Sequence, residues 1–137
     1  MKELETKIII DTDIGEDIDD TWALIFLLSS RFVDIKLISV TTGDVKYKAK
    51  IVAKILTLLN KTNIPIALGK ATENECYAQK RWTDDFDISS YQGHIYSSAS
   101  KAYKEILTKY HDCLIVGLAP FSTLAMVKST LVQKQIP

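Results

Sequence analysis

The stretch Ile8–Leu28, IIIDTDIGEDIDDTWALIFLL, decides how this chain folds. Its first part, Lys7–Asp11 (KIIID), is apolar without alternation, as expected of a strand covered on both faces in a parallel sheet. It runs straight into an acidic turn. Thr21–Ser30 (TWALIFLLSS) follows, apolar nearly all round, and reads as a buried helix with Asp19 or Asp20 near its N-terminus.

The same alternation continues outward. Asp34–Thr41 (DIKLISVT) reads as a second strand closed by Thr42-Gly43-Asp44. Lys46–Asn60 places Ala49, Val52, Ala53, Leu56 and Leu59 on one stripe, the mark of an amphipathic helix. Asn63–Leu68 reads as a third short strand, ending at Gly69. Lys70–Gln92 is polar, rich in Asp and aromatics and without a sustained period, so it reads as a long loop with room for a short helix. Ser97–Tyr110 is a helix with Ser97 or Ser98 as cap, and Asp112–Leu118 is a fourth strand. Pro120–Thr130 opens a last helix with proline in its first turn. Strand–helix alternation predicts a single α/β domain over residues 1–137, a parallel, Rossmann-like sheet with helices on both faces. Ligands in such sheets sit beyond the carboxyl ends of the strands. The acidic turn, Gly43-Asp44 and Ala119–Thr123 all fall at that edge.

Composition narrows the functional classes. Seventeen basic and seventeen acidic residues cancel, which argues against a nucleic-acid or anionic-membrane surface. No stretch approaches the ~20 apolar residues of a membrane span, and the N-terminus has no secretory pattern. Cys76 lies in a polar loop and Cys113 in an apolar run, with no metal-type spacing between them. Free thiols without a leader fit a cytoplasmic protein.

The turn carries Asp11, Asp13, Glu16, Asp17, Asp19 and Asp20 within ten residues. Like charges held together raise one another's pKa, and a divalent cation removes that cost. No His or Cys lies among them, which disfavours Zn²⁺ and favours the oxygen-seeking Ca²⁺. Solvated loop acids and helix-start acids would account for Asp19 and Asp20, but not for Asp11 and Asp13 at the end of an apolar strand. An EF-hand is excluded, because the twelfth position counted from Asp11 is Trp22. A haloacid-dehalogenase-type phosphohydrolase also begins with a strand and Asp-x-Asp, with Asp11 as nucleophile. Ile14-Gly15 departs from that family's continuation, and the Asp19-Asp20 pair has no role in it.

Strand, Asp-Thr-Asp-x-Gly, then Asp-Asp before an Ala-Leu helix resembles the inosine/uridine-preferring nucleoside hydrolase family, in the form with two more residues between glycine and the aspartate pair. Three further segments are similar to that family in the same order: Leu37–Asp44 (LISVTTGD), Lys61–Gly69 (KTNIPIALG) and Leu114–Ala125 (LIVGLAPFSTLA). The resemblance implies Ca²⁺-dependent hydrolysis of the N-glycosidic bond of a ribonucleoside, giving ribose and free base. It implies Asp13 as metal ligand and base on the attacking water, Asp20 as metal ligand, and Ser122 as metal ligand through its carbonyl. Asp19 and Asp44 would contact the substrate, and Asp11 would support the site from behind. Thr123 stands where the family has an asparagine.

Family members are longer, and their distal half supplies another metal-binding aspartate and, in many, a histidine for the leaving base. His94 and His111 do not match that histidine's motif. Asp13, Asp20 and one carbonyl make roughly three or four protein oxygens, against the about six to eight that Ca²⁺ takes. The chain therefore reads as the N-terminal part of such a hydrolase, with an open sheet edge and impaired turnover by itself. A homo-oligomer or a complementing C-terminal fragment would then be the partner. A non-catalytic chain that binds metal or ribose is the other reading from this pattern.

Overall fold

The computed structural model describes residues 5–73 and 76–132, with side chains described as far as Ser129. Five strands, β1 (Thr6–Thr12), β2 (Val33–Val40), β3 (Ile66–Leu68), β4 (Ile95–Tyr96) and β5 (Leu114–Leu118), form one sheet in the order β4-β3-β2-β1-β5. Every pairing is parallel. Helices α1 (Asp19–Ser29), α2 (Val45–Leu58), α3 (Lys80–Thr83), α4 (Ala99–Lys109) and α5 (Ser122–Val132) connect and flank it.

The chain moves outward from β1 through β2 and β3 to β4, then returns to the far side of β1 as β5. Parallel crossovers are right-handed, so reversing the direction of travel sends the connecting helix to the opposite face. The side chains follow that rule. Ile8 and Ile10 of β1 pack with Leu24 and Leu28 of α1 and Val52 and Leu56 of α2. Ile9 faces the other way, against Leu37, Ala102, Tyr103 and Val127 of β2, α4 and α5. An unbroken isoleucine run is what a strand with a core on each face requires.

The expected α/β sheet with helices on both faces is therefore what the chain adopts, and several details differ. Helix α1 is not buried all round: only Leu24 and Leu28 are fully covered, while Trp22 is 66% and Phe26 73% exposed. It lies on the surface of the first layer, with no element stacked outside it among the described residues. Strand β4 went unread because two residues are too short to show a period. The segment expected as a long loop contains α3 and a 3-10 turn at Ile88–Ser90. Helix α5 begins at Ser122, so Pro120 precedes it instead of lying in its first turn. Ser98, not Ser97, caps α4 by accepting from the Lys101 amide. Cys113 is partly buried at the margin of the second core, and His94 stacks edge-on against Tyr96 at 4.2 Å.

Strand β5 is an edge of the sheet, with Leu114 59% and Ile115 40% exposed and Phe121 uncovered just beyond. No helix among the described residues is long and apolar enough to cross a membrane.

Candidate active site

The reversal of strand order lies between β1 and β5, and a crevice opens at the carboxyl ends of strands that diverge in this way. A cavity of about 340 Å³ occupies that place. Asp13, Glu16, Asp17, Asp19 and Asp20 line one side of it and Leu118, Ala119 and Pro120 the other. A larger groove of about 690 Å³ runs between α1, α2 and the α3 segment, but its lining is mostly apolar and includes no acid. The chemistry lies in the smaller one.

The acidic turn is held from several directions. Thr12, whose side chain faces the first layer, donates from Oγ1 to Asp20 Oδ2 at 2.7 Å and accepts from the Ile14 amide at 3.1 Å. This one hydroxyl ties the end of β1 to the first turn of α1. Ile14 is fully buried, so the turn dips into the core immediately after Asp13. Gly15 then takes φ +104°, a conformation open to glycine alone at little cost. From α2, Tyr47 donates to the Gly15 carbonyl at 3.1 Å, and Lys48 Nζ donates to the Asp13 carbonyl at 2.8 Å and to Glu16 Oε1 at 3.2 Å.

Within this frame Asp13 and Asp20 line the same cavity, close enough for each carboxyl to act on the other. Burial, then Asp20 and Glu16, push the Asp13 carboxyl up to about 7, against the opposing pull of Lys48. A carboxyl pair of this kind either shares a proton or holds a cation. The donors are oxygens only, which suits a hard ion such as Ca²⁺ or Mg²⁺ over Zn²⁺. Among the described residues no group of three or more His, Cys, Asp or Glu side chains stands close enough to hold a metal. The two carboxyls thus fit a cation as part of a shell that needs further oxygens.

The remaining candidates are dispersed. Asp19 is exposed in the first turn of α1 and lines the same cavity. Asp44 caps α2, accepting from the Lys46 and Tyr47 amides at 3.1 Å, and its other oxygen accepts from the Tyr77 hydroxyl. It borders a different cavity, with Tyr47 and Tyr77. Ser122 opens α5, two residues past the Pro120 that borders the acidic cavity. Thr123, by contrast, is buried and structural: its hydroxyl bonds Thr41 Oγ1 at 2.5 Å and accepts from the Lys70 amide at 2.8 Å.

Asp11 points to the opposite face from Thr12. It is fully buried and accepts at Oδ1 from Ser39 Oγ at 2.6 Å, which also bonds the Tyr103 hydroxyl at 2.7 Å. Its Oδ2 has no hydrogen-bond partner among the described residues. A nucleophile must reach its substrate, so this placement removes the phosphohydrolase reading, in which Asp11 attacks phosphorus. Burial, partly offset by Ser39, raises the Asp11 carboxyl from 3.8 to about 6. The folded state therefore binds the Asp11 proton more tightly than the unfolded state. The resulting stabilisation is complete below pH ~4 and is lost as pH rises through ~6, an effect on the order of 3 kcal/mol. Asp11→Asn, neutral and isosteric, is expected to flatten this part of the stability–pH curve. Melting temperatures in chelator at pH 4 and 7 test it, and parallel curves for the two proteins would disprove it.

Sequence reading missed Thr12, Ser39, Tyr47, Lys48 and Tyr103, which hold the acids in place. Only Lys48 left a signal: a lysine beside an otherwise apolar stripe.

The sequence profile of the inosine-uridine preferring nucleoside hydrolase family matches residues 8–132. Among solved structures, the chain is similar to the plant nucleoside hydrolase PpNRh1, with a TM-score of 0.73 and 22% identity over 90% of this chain and 42% of that one. At that identity the likeness is one of fold, and the chain spans less than half the length of that relative. A comparison with curated protein sequences found no match.

Proposed function

Since the chain belongs to the inosine-uridine preferring nucleoside hydrolase family, we propose that it carries the cation- and ribose-binding half of a nucleoside hydrolase site. The reaction is hydrolysis of a ribonucleoside to ribose and free base, dependent on Ca²⁺. The observation that carries this reading is the Asp13–Asp20 pair at the β1–β5 crevice, on the family's own motif.

Asp13, Asp20 and the Ser122 carbonyl would hold the cation. When bound, Ca²⁺ supplies acidification of water and a grip on the ribose diol. Asp13 takes the proton from the attacking water, since its carboxyl lines the crevice where that water would sit. Asp19, exposed on the same cavity, bonds the ribose hydroxyls, whereas Asp44 caps α2 beside a neighbouring cavity. Asp11 stays behind the site and holds the end of β1 to β2 through Ser39. As positive charge develops on the sugar ring, the acidic wall of the cavity favours it.

The distal part of the family fold, in the same polypeptide or in another, docks on the exposed β5 edge and completes the ligand shell. Two free cysteines fit a cytoplasmic protein. The exposed β5 edge also favours a second reading, a non-catalytic chain that binds metal or ribose or self-associates.

Calorimetry and base release separate the readings. Ca²⁺ is expected to bind the chain, and inosine or uridine to release free base when the distal half of a family member is added, with release stopped by chelator. Ca²⁺ or ribose binding without release selects the non-catalytic chain. The absence of both Ca²⁺ binding and base release overturns the proposal.

A further inference from the structure

Lys48 lies in the first turn of α2 and is 1% exposed. Two effects oppose an ammonium there. Burial removes its hydration, and the positive end of the helix dipole repels it. An ammonium persists in such a place only if its partners compensate, and two are in reach: the Asp13 carbonyl at 2.8 Å and Glu16 Oε1 at 3.2 Å. One bond goes to the main chain of the residue read as base and metal ligand, and the other to the acid three residues on. Ala49, Val52, Ala53 and Leu56 embed the same helix in the first core, so the ammonium stands on a rigid support.

We propose that Lys48 is a positioning residue, which fixes the Asp13 main chain on helix α2 so that the Asp13 carboxyl faces Asp20. The inference rests on the reading of the acidic turn as a cation site. Geometry and charge make opposite predictions. Removing a positive charge beside a cation site raises cation affinity by Coulomb's law alone. Removing an outer support of a ligand lowers it, by roughly 10–100-fold.

Lys48→Met is therefore expected to bind Ca²⁺ about tenfold or more weakly by calorimetry. Lys54→Met removes the same charge from a position farther along the same helix, where Lys54 bonds Asp85 and the Trp82 carbonyl instead of the acidic turn, and is expected to bind as the unaltered chain does. Equal or tighter binding by Lys48→Met overturns the proposal, as does equal weakening by Lys54→Met. Hydrogen exchange without any cation gives an independent reading. In Lys48→Met the amides of residues 14–17 are expected to exchange about tenfold faster, with those of β1 unchanged. Unchanged protection of residues 14–17 overturns the proposal even if no Ca²⁺ binds, in which case the cation reading fails separately. Should Lys48→Met not fold, Lys48→Gln, too short to span the gap, is measured in its place with the same expectations.

Discussion

Asp13→Asn is expected to lower base release by roughly 10²–10⁴-fold in the protein completed with the distal half of the fold. The substitution preserves shape and one ligand oxygen, and it removes the group that accepts the proton. It also removes a cost. Burial first, and then the neighbouring Asp20 and Glu16, push the Asp13 carboxyl up to about 7, so its ionised form is held at a cost. The neutral variant is therefore expected to melt at a higher temperature than the unaltered chain in chelator above pH 7, where Asp13 is ionised. Lower turnover with higher stability is the pattern of a residue kept for chemistry. A variant that released base at the original rate would remove Asp13 from the mechanism, whatever its melting temperature.

Gly15→Ala is expected to destabilise the chain by ~2–5 kcal/mol, combining backbone strain with overpacking. The backbone there has φ +104°, and an added Cβ would stand 2.8 Å from Ile51 Cδ1 and 2.9 Å from Tyr47 Cε1. Neither neighbour can retreat freely. Ile51 is fully buried, and Tyr47 is bonded at its hydroxyl to both the Gly15 carbonyl and the Gln79 amide. Small domains are stable by only about 5–15 kcal/mol, so the melting temperature is expected to fall by about 10 °C or more. The turn carries Asp13, so Ca²⁺ affinity should fall as well. A melting temperature within a degree of the original would show that the turn tolerates a side chain there.

Much of the fold was legible because its signals are local. Apolar strands without alternation, acids at the first turn of α1 and the stripe on α2 each follow from a short stretch of sequence. Where burial depends on what lies outside an element, local reading failed. Trp22 and Phe26 look like core residues by type, yet they face outward because none of the described residues covers that side of α1. Strand β4 exists through its pairing with β3, not through any pattern of its own.

The candidate site divides in the same way. The sequence by itself determined the acidic motif, its place after the first strand and the family it belongs to, since residue type and spacing suffice for those. Only the tertiary structure decided what each acid touches. Strand alternation turned Asp11 into a buried partner of Ser39 and Tyr103 while Thr12, one residue on, reached Asp20. Helix capping drew Asp44 toward the α2 amides. The packing of α2 brought Lys48, thirty-five residues away in the chain, onto the carbonyl of Asp13. These partners are distant in sequence, and a hydrogen bond depends on ångströms that no spacing of residue types encodes.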